Sequence, residues 1–314
     1  MAELTLLLPS AVQLRAADGS LARWWARGDR MDDAAPGRAT ALREAFEFTG
    51  TEIPVAALTR QRDARDAAGA LWLRADPAYA VADAATARLL ACGTLDLSRE
   101  EIDELARALR PMFGDAGFLL EPTTAARWYL RCAPAARLPR FASPIEVLGA
   151  DLLQHLPAGE NERQWRMLFN EAQVILHNHL VNARRVAAGR APANALWFWG
   201  AGRLPDWVRT RHTRVMSPDE VVLALAAMAG AEFDNALSSS ALEAAAAQTG
   251  DVLLDLGAMR DVASLERDVL SLIDGAVRSG HVARLVLAFE SGERVVFRRA
   301  HRWRFWRPRR LPQA

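Results

Sequence analysis

Residues 161–207 read NERQWRMLFNEAQVILHNHLVNARRVAAGRAPANALWFWGAGRLPDW, and the order of elements in this stretch sets the fold class. Trp165, Leu168, Phe169, Ala172, Leu176, Leu180, Ala183 and Val186 recur at helical spacing, which predicts one long amphipathic helix. Gly189 and Pro192 end it. Residues 195–199 are wholly apolar and long enough for one buried strand. Gly200, Ala201, Gly202 and Pro205 then predict a turn. Helix, tight loop, buried strand and glycine turn together predict an α/β fold, a mixed sheet with flanking helices.

The same stretch holds candidate ligand-binding residues. At about 100° per residue, Asn178, Asn182 and Arg185 share one edge of the expected helix. An arginine fork suits a phosphate or carboxylate because it donates two parallel hydrogen bonds. A turn after Trp199 would present backbone N–H groups beyond the strand's C-terminal end, where open α/β sheets bind ligands. The candidate set is therefore Asn178, Asn182, Arg185, Asn194, Trp199, Gly200, Gly202 and Arg203. These residues serve equally well as the polar border of a core helix and an ordinary turn, and a lone G-x-G does not separate the two.

One pattern goes further. Asn182-x-x-Arg185, Gly189, Pro192-Ala193-Asn194-Ala195 and Trp199-Gly200-Ala201-Gly202 together resemble a stretch of the archaeal-type, cofactor-independent phosphoglycerate mutases of the alkaline-phosphatase superfamily. Upstream, Pro144, Gly149 and Leu156-Pro157 resemble the segment that precedes the same helix there. The chain as a whole, with its Arg/Trp tail, is similar to a bacterial group labelled RpfE-type regulatory proteins. The mutase resemblance spans the middle third of the chain and implies a reduced scaffold of that superfamily and an anion site. It does not imply the phosphotransfer machinery. Those enzymes use two divalent metals and a Ser or Thr acceptor, which require several Asp and His ligands together. The six histidines here (His155, His177, His179, His212, His281 and His301) form no H-x-x-H pair with a convincing carboxylate partner. His177 and His179 point about 200° apart on a helix. The expectation is a metabolite-binding or regulatory relative with no cofactor and no metal. An active metal-dependent mutase is the alternative, and it would need Asp76, Asp83, Asp255 and His281 to converge.

Composition narrows the partners. A net charge of +1 provides no bulk field for nucleic acid or membrane. All 39 basic residues are arginine, so an arginine cluster is a weaker signal here than in a lysine-containing chain. Cys92 and Cys132 lack metal or C-x-x-C spacing and read as buried free thiols. No signal peptide or membrane span is evident, which predicts a cytoplasmic protein. A phosphorylated or anionic small molecule is the expected ligand, and a protein partner is also open.

Elsewhere, strands are expected at 4–8, 70–77, 126–131, 252–256, 283–289 and 294–298. Helices are expected at 41–48, 53–58, 98–112, 143 onward, 217–228, 238–248 and 264–279. Ser98 with Glu101 predicts a capping box. Residues 16–40 read as loop or loose helix, with Trp24-Trp25 packing back on their own domain. Arg74 and Asp76 either face a ligand or pair in a solvated turn. The tail RRAHRWRFWRPRR from Arg298 reads as an edge strand with aromatics inward, or as a single-stranded nucleic-acid contact. The proline-rich stretch 134–144 suggests lobes of 1–135 and 136–314.

Overall fold

The first strand, β1 (Ala2–Leu8), buries Leu4, Leu6, Leu7 and Leu8 and pairs in parallel with residues 252–255 and 282–289 from the far end of the sequence. The two chain ends therefore build one sheet. The structure, a computed structural model, describes residues 2–14, 19–82, 86–157, 163–237 and 250–307. It divides into a unit of residues 1–51 with 205–314 and a unit of residues 52–204. The expected boundary at 135/136 falls inside the second unit, because a sheet closed by both chain ends cannot be separated by one cut. Asp83 and the expected 238–248 helix lie outside the described residues.

In the first unit, α1 (Ser20–Arg27) is a helix within the stretch read as loop or loose helix. Its N-terminus is capped from a distance: the Glu266 carboxylate accepts from the N–H of Ser20 at 2.8 Å and of Leu21 at 3.0 Å. A Cβ on Gly19 would lie 2.5 Å from a Glu266 oxygen, so the cap requires glycine there. Trp24 and Trp25 are buried against Phe297 and Phe289, with ring centroids 6.3 and 5.0 Å apart. The pair thus packs on its own unit. β2 (Asp29–Arg30), α2 (Arg38–Ala45) and β3 (Glu47–Phe48) follow.

The second unit runs through α3 (Val55–Ala64), β4 (Leu71–Ala82), β5 (Ala87–Cys92), α4 (Arg99–Asp115), β6 (Leu119–Pro122) and β7 (Trp128–Cys132). α5 (Pro144–Val147), α6 (Arg163–His177), α7 (Leu180–Ala187) and β8 (Ala195–Arg203) complete it. β4 is its spine, antiparallel to β5, β7 and β8. The capping box at Ser98 and Glu101 is present. The expected single helix is two helices. His179 adopts extended backbone and its ring accepts from the Val181 N–H at 3.2 Å, starting α7 afresh. Apolar spacing continues across this break and hides it.

Back in the first unit, the chain passes β9 (Val208–Arg209), β10 (Arg214–Met216), α8 (Glu220–Met228), β11 (Glu232–Asp234) and β12 (Val252–Asp255). A helix over 262–279 (α9) includes a π-helical turn at Leu265–Leu270 and ends at Gly280. β13 (Val282–Phe289) and β14 (Arg294–Arg298) form the expected hairpin. The sheet order is β11-β10-β12-β1-β13-β14-β2, parallel from β11 to β13 and antiparallel beyond. Asp219, rather than Ser217, caps α8, accepting from the Val221 N–H at 2.9 Å. The tail forms a 3-10 turn at Arg299–Trp303 instead of an edge strand, because β2 already covers the free side of β14. Trp303, Phe305 and Trp306 are exposed. No helix among the described residues is long and apolar enough to cross a membrane.

Candidate functional site

Parallel strands place their carboxyl ends along one edge, and open α/β sheets bind ligands there. In the first unit Ser217 follows β10, Asp255 ends β12 and Glu290 follows β13. Arg38, the first residue of α2, reaches this edge. Its Nη1 donates to Asp255 Oδ1 at 3.1 Å and its Nη2 to Asp255 Oδ2 at 2.8 Å. The same guanidinium contacts Asp219 at 2.7 Å and Glu290 at 3.3 Å. The Ser217 hydroxyl donates to Asp255 Oδ2 at 2.6 Å and the Gly257 N–H to Oδ1 at 3.2 Å.

Asp255 is 1% exposed, so its charge needs compensation. Burial pushes its carboxyl up, but the hydrogen bond and charge of Arg38, with Ser217 and Gly257, hold it below its usual range. Burial works against the Arg38 charge as well. Asp255 and Asp219 outweigh it and bind the guanidinium proton more tightly than in free arginine. The result is a cluster of three carboxylates around its own internal cation. Sequence reading named only Asp255 of this group. Arg38, Ser217, Asp219 and Glu290 carry one shared local signal, a polar residue just beyond an apolar run or at a helix start, and α2 shows no sequence link to β12.

The residues expected to bind ligand are placed differently. The Asn182 amide donates to the carbonyls of Leu176 at 2.7 Å and Ala193 at 2.9 Å, and accepts from the Ala193 N–H at 2.8 Å. Arg185 is 2% exposed and donates to the Ala191 and Leu95 carbonyls at 2.8 and 2.6 Å and to Glu101 at 2.8 Å. Asn194 pairs through both amide atoms with the Ala80 backbone, each at 2.8 Å. Asn178 donates to the Val174 carbonyl at 2.8 Å, one turn back in α6. Arg203 donates to the Pro134 carbonyl. These are internal ties across loops.

Gly200 and Gly202 lie within β8 and make no turn. Gly200 has φ +65° and sits in a bulge opposite Leu73. A Cβ on Gly202 would stand 2.4 Å from Pro54 Cβ. The glycines admit the start of α3 against the strand. Trp199 donates from Nε1 to Asp76 at 2.7 Å, and Arg74 and Asp76 pair with each other at 2.7 Å, as one of the two readings had it, but within the buried sheet and not in a solvated turn. Burial holds the Asp76 carboxyl above its usual range in spite of Arg74 and Trp199.

Asn178, Asn182 and Asn194 do share a groove of about 1120 Å³ in the second unit, with His177 and His179. Its lining among the described residues contains no arginine. No group of three or more His, Cys, Asp or Glu among the described residues is arranged to hold a metal ion. Asp255 ends β12 while His281 precedes β13, parallel strands on either side of β1, so the two stand at opposite ends of the sheet.

Comparison with known proteins adds ancestry. A stretch of 109 residues is 31% identical to the probable 2,3-bisphosphoglycerate-independent phosphoglycerate mutase of Geobacter sulfurreducens, covering 35% of this chain and 27% of that one. The chain is similar in part to the cofactor-independent phosphoglycerate mutases. A second such relative, 2,3-bisphosphoglycerate-independent phosphoglycerate mutase from Methanothrix thermoacetophila, is 36% identical over 66 residues, 21% of this chain and 17% of that one. The mutase similarity thus spans under a third of either curated relative. No protein-family profile matches the chain. The structure of PH0037 protein from Pyrococcus horikoshii superposes with a TM-score of 0.53 at 14% identity, covering 94% of this chain and 86% of that one, which shows a shared fold.

Proposed function

We propose that this phosphoglycerate-mutase-like chain binds a phosphorylated or other anionic metabolite in a regulatory role and does not transfer a phosphoryl group. Arg38 carries this reading. A two-metal phosphotransfer site needs its carboxylates free for cations. Here a guanidinium already satisfies Asp219, Asp255 and Glu290 at the ligand-binding edge of the sheet. A divalent ion arriving there would have to displace a bidentate partner from Asp255. The resemblance of the chain as a whole, with its Arg/Trp tail, to the RpfE-type bacterial regulatory group supports the regulatory part of this reading.

A working metal-dependent mutase is the competing reading, favoured by the partial similarity to proteins named as mutases. It requires His281 to meet Asp255 across the length of a sheet, and Asp76 to leave Arg74. The deciding assay is interconversion of 3- and 2-phosphoglycerate with Mn²⁺ added. Absence of turnover, with thermal stabilisation by a phosphorylated metabolite, is the expected result. Steady turnover by the wild-type chain would overturn the proposal.

A further inference from the structure

Four arginines converge well away from the sheet edge. Arg23 of α1, Arg278 of α9, and Arg299 and Arg302 of the 3-10 turn line one cavity of about 280 Å³ in the first unit. Phe297, which lines it too, pairs with Leu285 on β13, far from Glu290. Among the described residues the only acidic side chain in the lining is Asp274, which is 3% exposed. Its carboxylate is already taken: it accepts from Trp24 Nε1 at 3.1 Å, pairs with Arg23 at 2.8 Å, and pairs with Arg278. Those bonds fix two guanidinium groups in place. Among the described residues no carboxylate pairs with Arg299 or Arg302, and Arg302 Nε is buried without a hydrogen-bond partner. The Arg302 guanidinium lies 4.7 Å from the centroid of the Trp303 ring, which holds its plane.

Four guanidinium charges against one carboxylate leave an excess of three in a chain whose net charge is +1. Such a concentration repels itself when empty and favours a multiply charged anion. We propose that this cavity binds the phosphoryl group of a small phosphomonoester. A phosphoryl group carries about −1.5 to −2 charge at neutral pH and offers three acceptor oxygens to arginine forks. The volume sits just below the range of about 300–1,000 Å³ of pockets for drug-sized ligands, which suits a small ester. The neighbouring Trp303 and Phe305 rings meet edge to face at an interplanar angle of 83°, so they form no parallel platform for stacked bases. Of the described residues after Arg298, Arg299 and Arg302 line the cavity.

The inference takes its ligand class from the function proposed above and its location from the arginines alone. The test is calorimetric titration of the full chain with inorganic phosphate, 3-phosphoglycerate and a single-stranded oligonucleotide. The comparison variants are Arg299→Gln/Arg302→Gln and, separately, the exposed Arg278→Gln. Saturable binding of the small phosphates that weakens about tenfold or more in the double variant, and weakens with added salt, is expected. Unfolding temperatures of the variants establish that they fold. Undiminished binding in both variants, no saturable binding by the wild type, or binding of the oligonucleotide alone would each overturn the pocket. Phosphoglycerate turnover by the wild type would instead overturn the function proposed above and leave the pocket standing.

Discussion

Arg38 and Asp255 lie 217 residues apart in sequence and form a bidentate pair, at 3.1 and 2.8 Å, on the carboxyl edge of the parallel sheet. Asp255 is almost fully buried and Arg38 is partly exposed, so the pair is asymmetric. Removing the arginine strands a buried carboxylate. Arg38→Met should cost about 3 kcal/mol in urea unfolding, and Arg38→Met/Asp255→Asn should recover a substantial part of it. Additive losses in the double-mutant cycle would contradict the pairing.

Asn182 and Arg185 hold loop backbone. Asn182→Ala leaves the Ala193 N–H and two carbonyls without their partner and should cost about 2–3 kcal/mol. Arg185→Ala should cost about 3 kcal/mol by stranding two carbonyls and removing one of the two arginines paired with Glu101. Denaturant midpoints measure both losses. Phosphate affinity, measured on the folded fraction, should stay at the wild-type value.

Gly202→Ala should destabilise the second unit by about 1–3 kcal/mol, because the added methyl meets Pro54 Cβ at 2.4 Å and Cα at 2.8 Å. Gly114→Ala, in α4, meets no atom within 4 Å and should be milder. Equal thermal shifts for the two variants would rule out close packing of α3 on β8 as the reason for the glycine.

The described structure also ties stability to pH through His212, which is 3% exposed. Burial first, and then the Arg211 charge, push its imidazole down to about 4 from 6.5. The unfolded chain therefore binds this proton more readily than the folded one. The residue's contribution is complete above about pH 6.5 and is lost as the pH falls toward 4, a change on the order of 3 kcal/mol. His212→Gln should flatten the stability curve across that window. An unchanged slope in the variant would assign the loss to other groups.

Much of the scaffold was legible because its signals are local. Buried parallel strands read as predominantly apolar runs, as at 252–256 and 283–289, and Ser98 with Glu101 spells a helix start. The parts that were hidden depend on distant partners. Helical spacing runs on through His179, where a ring-to-backbone bond restarts the helix. Gly200 and Gly202 resemble turn glycines until Val55 and Pro54 are seen against them. Arg38 is one arginine among 39 arginine and lysine positions, and only the fold brings it to Asp255. Ser217 looks like a cap, yet its hydroxyl donates to Asp255, 38 residues further on.

The most direct test of the central claim is the metal content of the purified wild-type chain by elemental analysis after exposure to Mn²⁺ and Zn²⁺. With Arg38 occupying the carboxylate edge, no stoichiometric metal is expected to remain. About two metal ions per chain, accompanied by phosphoglycerate turnover, would contradict the account and identify a working phosphotransfer enzyme.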